Sequence, residues 1–535
     1  MIPRLSLEHL DALVSAPPTV RPPLVDPRRL SIGIVHLGAG AFQRAHQALY
    51  TEEAIAISGE TDWGILAVTG RSDRVLHDLG PQDGLYGILE RRADDNRLSV
   101  VGAIRAVASP TTSSLQIARV IAKPTTRIIT MTVTEKGYAG AAHGTVDLTL
   151  PTIEHDIRVI LDELAGRSTD APSRTAPGLL LRGLFHRFST TALPITVLSC
   201  DNLGDNGAVT RRMLRSLISE AHDEAARRDL AGAADRVARF QEWIASSVRF
   251  PSTMVDRIVP ATSREDREIA ERLVGMRDDA LVVAEPFRQW IIEDDFAGPR
   301  PAWEAVGVTM TTCVAPYERA KLRILNAVHS VLAYLGALRG YATIRDAVAD
   351  PLLVSAVTRM VDADIIPTLV APPGMELARY RDSVLKRFAN PALAHTTQQI
   401  AMDGSQKIPQ RLLETAVDRV RSGDIPRELA FGVAAWIVFI ASTSDRDGPA
   451  LRDPLAEELQ RAIGSSASLR GDPRAAADRL VRNAAIFPET LRASAPFREA
   501  VAERIPDVMA LRAEPSDSSW TASRERPQSK GEQGQ

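Results

Sequence analysis

The sequence predicts an N-terminal α/β domain with a mostly parallel sheet, followed by a mainly α-helical C-terminal domain. Three observations carry this expectation. Short apolar strands alternate with helix-compatible segments up to about residue 300. A glycine turn, Gly38-Ala39-Gly40, closes the first strong strand and opens a helix. Beyond it, strand-like runs become sparse and long amphipathic patterns take over. The expected organisation is an N-terminal extension over 1–29, the α/β domain over 30–300, the helical domain over 301–513 and a disordered tail over 514–535.

The apolar run Ser31-Ile-Gly-Ile-Val-His36 predicts the first strand, and residues 41–57 predict a helix after the turn. Trp63-Gly-Ile-Leu-Ala-Val68 follows at the spacing of a βαβ unit. Segments 86–91 and 98–103 flank a polar turn and predict a hairpin added to the sheet. Further strands are expected over 127–133 and 195–199. Apolar periodicity then predicts helices over 317–338, 344–349, 352–364, 375–388, 406–422, 426–443, 455–463, 474–486 and 495–504. The tail is polar and nearly free of aliphatic residues, so it cannot bury enough apolar surface to fold.

Composition narrows the function classes. The chain has 535 residues, with 64 Lys plus Arg against 67 Asp plus Glu, a formal charge of -3. That length suits roughly two to four domains. Interspersed charge of both signs gives no footprint for nucleic acid or an anionic membrane surface. Cys200 and Cys313 are too few for a disulfide framework or a multi-cysteine metal site, so no metal is expected. Residues 1–29 place Pro and charge every few positions and lack a signal-peptide core, and no run is long enough to span a membrane. These features predict a cytoplasmic protein, a monomer or small homo-oligomer, with a small-molecule partner.

Gly38 permits a tight turn, and Gly40 lets the backbone approach a pyrophosphate at a helix N-terminus. Gly38, Ala39, Gly40 and Phe42 therefore form the expected cofactor-binding set of a Rossmann-like domain. Gln43 stands where the usual third glycine would be. The acidic residue expected after the second strand is not found in Thr69-Gly70-Arg71-Ser72, while Glu60 and Asp62 precede that strand. Arg71 suits a 2′-phosphate, so NAD is expected with NADP left open.

Pro316 suits the first turn of a helix that carries polar groups on its apolar face. At about 100° per residue, Glu318, Lys321, Asn326 and His329 fall within an arc of roughly 140°, beside Leu322, Leu325 and Leu332. A buried Lys321 would have its pKa lowered toward that of a general base. Asn326 can donate to an oxygen that gains negative charge, His329 can donate to a substrate hydroxyl, and Glu318 lies one turn from Lys321. The set fits metal-free removal of hydride from a secondary alcohol. A snorkelling lysine beside a satisfied core histidine would give the same spacing. Tyr317 and Lys321 also match the Tyr-Lys pair of short-chain dehydrogenases, but they lie far from the glycine turn where that pair belongs.

Six blocks in one order carry a resemblance: His36-Leu-Gly-Ala-Gly-Ala-Phe-Gln-Arg-Ala-His46, Thr134-Glu-Lys-Gly-Tyr138, Ser199-Cys-Asp-Asn202, Phe250-Pro-Ser-Thr-Met-Val-Asp-Arg-Ile-Val-Pro260, Glu285-Pro-Phe-Arg-Gln-Trp290, and Lys321 with Asn326 and His329. Over about residues 30 to 510 the chain resembles the long-chain polyol (mannitol) dehydrogenase family, most like its fructuronate reductase (D-mannonate oxidoreductase) branch. The resemblance implies Lys321 as general base, with Asn202 and Asn326 holding the substrate oxygen. It further implies His329 positioning substrate, Glu318 relaying the proton, and Asp256 and Lys407 contacting polyol hydroxyls. Mannitol 2-dehydrogenases carry a basic residue eight positions before the lysine matching Lys407, where this chain has Gln399. Lys136, Arg288 and Arg323 suit a uronate carboxylate. The chain departs from the pattern at Ala327-Val328 and Cys313-Val314. The expected reaction interconverts D-mannonate and D-fructuronate. Mannitol with fructose, mannitol 1-phosphate with fructose 6-phosphate, and a catalytically silent dinucleotide sensor are the alternatives.

Overall fold

In the computed structural model the described residues run from 2 to 512, apart from 71, 92–95, 139, 141–145, 168, 229, 231, 391–394 and 447 and the side chains at 14, 15, 135 and 136. The tail over 514–535 and Arg71 lie outside the described residues, and so does the side chain of Lys136. The chain divides into two compact units. The first comprises Met1–Lys321, Leu369–Leu377 and Lys386–Ala394, and the second Leu322–Thr368, Ala378–Leu385 and His395–Gln535. The division thus falls inside the helix that carries Lys321, beyond the boundary expected near residue 300.

The strands are β1 (Val20–Arg21), β2 (Ile32–Ala39), β3 (Gly64–Thr69), β4 (Tyr86–Glu90), β5 (Arg97–Val101), β6 (Ile104–Ala108), β7 (Ile128–Met131), β8 (Ile195–Ser199), β9 (Val248–Arg249), β10 (Thr253–Asp256), β11 (Val282–Ala284), β12 (Gln289–Glu293) and β13 (Thr309–Thr311). A six-stranded sheet runs β6-β3-β2-β7-β8-β9, and all its neighbours are parallel. Counted along the chain within this sheet, the order is that of a Rossmann fold, with its switch point between β2 and β7. Alternate residues of each strand enter different cores. Val35, Leu66, Ile129 and Val197 pack with Ile117, Leu180, Leu184 and Met213, whereas Ile34, Ile65, Ile128 and Leu198 pack with Ala48, Leu49 and Ile55. Burial on both faces explains why these strands read as continuous apolar runs.

Two local expectations are corrected. The hairpin β4–β5 does not extend the parallel sheet but forms a separate sheet, β1-β5-β4-β11, because β6 already occupies the edge beside β3. The N-terminal extension joins this sheet through β1, with Leu5, Leu13 and Val20 in its core. The helix expected over 41–57 breaks into Ala41–Ala45 and Gln47–Ser58 at His46, whose φ and ψ are -125° and -84°. Its ring stacks on Phe42 at 5.0 Å and its Nε2 bonds the Gln289 carbonyl at 2.9 Å, which draws the residue out of helical geometry. The third sheet, β10-β12-β13, pairs β10 and β12 antiparallel.

The second unit is helical. Arg427–Thr443 is buried from Leu429 through Ala441 and packs against Ala327–Leu338 and Ala495–Ala510, as an all-round apolar helix must. Three helices expected to be regular contain π turns, at Lys321–Asn326, Val361–Ile365 and Pro409–Leu413. Pro409 has no N–H for an α-helical bond, which favours the wider turn there. Among the described residues no helix is long and apolar enough to cross a membrane.

Gly38 has φ +93°, and a Cβ there would lie 2.3 Å from the Thr132 carbonyl oxygen. Gly38→Ala is expected to lower stability by about 2 kcal/mol or more. Gly471→Ala, where a Cβ meets nothing within 4 Å, should change it by less than about 0.5 kcal/mol. Urea unfolding midpoints compare the two.

Candidate functional site

The glycine turn is anchored across the switch point. His36 on β2 bonds Thr130 Oγ1 at 2.7 Å through Nδ1 and Thr132 Oγ1 at 2.9 Å through Nε2. The Thr132 hydroxyl donates to the Gly38 carbonyl at 3.0 Å, so it accepts from an Nε2–H and leaves Nδ1 to accept from Thr130. Burial lowers the His36 pKa to about 3, which keeps the ring neutral in that tautomer. At Gly40 a Cβ would meet only the Gly38 carbonyl oxygen, at 3.7 Å, so the space over the turn is open. Gly40 precedes Ala41–Ala45 with no side-chain cap, and the buried Gln43 amide has no hydrogen-bond partner among the described residues. Open space, uncapped N–H groups and the Rossmann strand order fit a dinucleotide pyrophosphate. An acidic residue does follow β3, Asp73, four residues past its end, whose Oδ1 accepts from Thr69 Oγ1 at 3.3 Å. The intervening loop places it beyond the usual position at the strand end, which hides it from a spacing argument.

The loops after β7 and β8 are locked together by Asp201. Its carboxylate accepts from Val133 N at 3.1 Å, Thr134 N at 2.8 Å and the Tyr138 hydroxyl at 2.9 Å. Asn206 ties this region to β10, donating to Thr253 O and accepting from Thr253 N, both at 2.9 Å. Asn202 and Val255 thereby flank the end of Ala315–Ala320, and Lys321 enters between them. Lys321 is 6% exposed, and its Nζ donates to Asn202 Oδ1 at 2.5 Å and to the Val255 carbonyl. Glu318, one turn earlier, accepts from Asp205 N at 3.2 Å on each oxygen. Burial is the main cause that raises its pKa to about 7. Tyr317 is turned away into an apolar cluster with Met254, Ile291 and Val314, and its hydroxyl donates to the Pro373 carbonyl at 3.2 Å.

Asp256 follows Val255 and is held by a residue that sequence reasoning missed. Arg387 NH1 and NH2 donate to its two oxygens at 2.6 and 3.0 Å, and Nε and NH2 donate to the Glu285 carboxylate at 3.0 and 2.7 Å. No local signal marks this pairing, because 131 residues separate Asp256 from Arg387.

Two family descriptions match the chain: the mannitol dehydrogenase Rossmann domain over residues 32–305 and the mannitol dehydrogenase C-terminal domain over residues 313–509. The chain belongs to the mannitol dehydrogenase family. It is an oxidoreductase with a Rossmann-like first domain. It is 40% identical to D-mannonate oxidoreductase of Escherichia coli over 90% of this chain and 94% of that one. It is 36% identical to mannitol 2-dehydrogenase of Cereibacter sphaeroides over 80% and 84% of the two chains. Among solved structures, Pseudomonas fluorescens mannitol 2-dehydrogenase in ternary complex with NAD and D-mannitol matches with TM-score 0.77 and 33% identity, covering 95% of this chain and 98% of that one. A substrate-free D-sorbitol dehydrogenase matches with TM-score 0.79 and 30% identity, covering 96% and 100%.

Within this member of the mannitol dehydrogenase family, two of the expected substrate cations have carboxylate partners. Arg288 pairs with Glu53, which it shares with Arg21, and lies 4.2 Å over the Tyr50 ring, while its buried Nη1 has no hydrogen-bond partner among the described residues. Arg323 in the second unit is buried between Asp418 Oδ2 at 2.7 Å and Thr368 Oγ1 at 2.9 Å, because burial demands a counter-charge. Also in the second unit, Lys407 Nζ donates to the Ile400 carbonyl at 3.4 Å, and the buried His329 stacks 5.6 Å from His395. Asn326 is half-buried and closes the π turn that Lys321 opens.

The raised Glu318 pKa has a consequence for stability. A carboxyl with a folded pKa of about 7 against 4.5 binds more protons folded than unfolded between those values. Its contribution to stability therefore falls as pH rises from about 4.5 through about 7. Glu318→Gln removes that slope, so its stability relative to wild type should rise across this window by up to about 3 kcal/mol. Urea melts at each pH read the difference; a constant difference would contradict the assigned ionisation.

Proposed function

We propose that this chain is an NAD-dependent dehydrogenase that interconverts a polyol or aldonate with its ketose or ketouronate, D-mannonate with D-fructuronate being the leading pair. The observation that carries this reading is the buried Lys321 Nζ held by Asn202 Oδ1 and the Val255 carbonyl. Oxidation of a carbinol requires its C–H to leave as hydride while its O–H gives up a proton. A bound nicotinamide dinucleotide supplies the hydride acceptor. Lys321 as a neutral amine takes the proton. Its hold on Asn202 Oδ1 fixes the amide so that Nδ2 is the donor left for the developing alkoxide. Glu318, near neutrality in its proton affinity, passes the proton from Lys321 toward solvent. In the first unit Asp256 meets substrate hydroxyls; in the second, Asn326, His329 and Lys407 keep the substrate roles that the family resemblance implies.

Gly38, Ala39, Gly40 and Phe42 would hold the pyrophosphate end of the cofactor. Asp73 supports NAD over NADP, since a carboxylate accepts from a ribose 2′-hydroxyl and repels a 2′-phosphate. The names and bound ligands of the relatives support a sugar alcohol or sugar acid substrate. A neutral polyol such as mannitol is the second reading, favoured by the pairing of Arg323 with Asp418, which engages one of the candidate cations for a uronate carboxylate.

Initial rates with D-mannonate, D-mannitol and mannitol 1-phosphate, each with NAD and NADP, test the assignment through absorbance of the reduced cofactor. Mannonate with NAD is expected to be fastest, and oxidation of mannitol but not mannonate would sink the uronate assignment. Lys321→Ala is expected to cut turnover by about 10³-fold, with cofactor affinity by calorimetry changed by less than about threefold. Near-wild-type turnover in that variant would remove Lys321 as the base.

A further inference from the structure

We infer that Arg387 is a positioning residue for substrate recognition, fixing the Asp256 carboxylate in one orientation and in its charged form so that it accepts substrate hydroxyls. The inference rests on the dehydrogenase reading above and extends it to a residue that acts through Asp256. Asp256 is adjacent in β10 to Val255, whose carbonyl holds Lys321, so its carboxylate is anchored one residue from the base. Arg387 is 8% exposed, Asp256 5% and Glu285 1%. The guanidinium meets all four oxygens of the two carboxylates and lies 4.0 Å over the Phe287 ring.

The hydrogen-bond inventory favours a role beyond stability. Each oxygen of an ionised carboxylate accepts twice, and the Arg387 fork takes one site on each Asp256 oxygen, leaving the others for O–H donors. The other charged groups around the pair are committed elsewhere. Arg257 donates to Glu90 Oε1 at 2.8 Å and to the Glu285 carbonyl at 2.9 Å. Glu285 also accepts from Ile258 N at 2.7 Å, and nearby His46 is neutral, with a pKa of about 3. Without Arg387, Asp256 and Glu285 would be buried like charges, and one would take up a proton. Burial already raises the proton affinity of Glu285, so the two carboxyls would share that proton, and whenever it sits on Asp256 that oxygen loses half of its accepting capacity.

The test is a set of steady-state measurements on full-length Arg387→Gln, Arg387→Lys, Asp256→Asn and the Asp256→Asn/Arg387→Gln double variant. With the substrate that wild type oxidises, Arg387→Gln is expected to raise KM about 30-fold at about pH 6. The ratio to wild type should shrink toward about pH 9, because the raised carboxyl pKa restores the ionised form only at higher pH. Asp256→Asn should raise KM without that pH trend, and the double variant should be no worse than the worse single variant. Cofactor affinity by calorimetry should remain within about threefold. Arg387→Lys keeps the charge but not the fork, so it should raise KM less and with little pH trend, and if the glutamine variant does not fold it carries the test through a KM rise with cofactor affinity unchanged, wild-type KM overturning the inference. A KM ratio that is flat with pH, additive effects, or a parallel loss of cofactor affinity would reduce Arg387 to a structural ion pair and overturn the inference alone. Absence of both turnover and calorimetric substrate binding in wild type would overturn the dehydrogenase reading and the inference with it.

Discussion

A lysine amine taken out of water must be met by acceptors, whichever its protonation, and several segments of the first unit converge to meet that requirement at Lys321. Leaving a buried charge unpaired costs several kcal/mol, about the whole net stability of many domains. The acceptors come from two separate stretches of chain, Asn202 after β8 and the Val255 carbonyl of β10. Asp201 locks the β7 and β8 loops, and Asn206 fastens that region to β10. The same bonds that satisfy the lysine also orient the Asn202 amide. The burial of the lysine and the orientation of the amide are thus set by one group of contacts.

The cofactor turn obeys a similar economy of neutral groups. His36 is too deeply buried to carry charge, and its two nitrogens are used by Thr130 and Thr132 to connect β2 with β7 at the switch point. Thr132 then holds the Gly38 carbonyl, and the positive φ of Gly38 turns the chain toward the open space over Gly40. The parallel sheet supplies the strand ends and the helix start. The threonines fix the turn without placing charge where a pyrophosphate would approach.

Cations in this chain divide into paired and recruited groups in a way composition does not reveal. A net charge of -3 is compatible with any distribution. In the structure Arg288, Arg323, Arg257 and Arg387 each meet a carboxylate. Arginine suits this role because its planar fork spans two oxygens, whereas the compact ammonium of Lys321 fits a carbonyl and an amide oxygen. Counting cations in the sequence says nothing of these partners. Asp256 shows the converse, since its carboxylate is engaged by Arg387 yet keeps lone pairs for hydroxyls.

What the sequence determined by itself is whatever local chemistry and periodicity encode: the α/β order of the first unit, the helical second unit, the glycine turn, and the spacing of Glu318, Lys321, Asn326 and His329. These follow from strand alternation, helical repeat and the conformational freedom of glycine, each readable within a few residues. The tertiary structure alone decided the separate sheet built on β4 and β5, the bend at His46, the place of Asp73 beyond β3, and the partners of Arg288 and Arg323. It also brought Arg387 to Asp256 across 131 residues. Such contacts depend on which groups burial forces together after the chain has folded, and a buried charge takes its partner from wherever the fold delivers one.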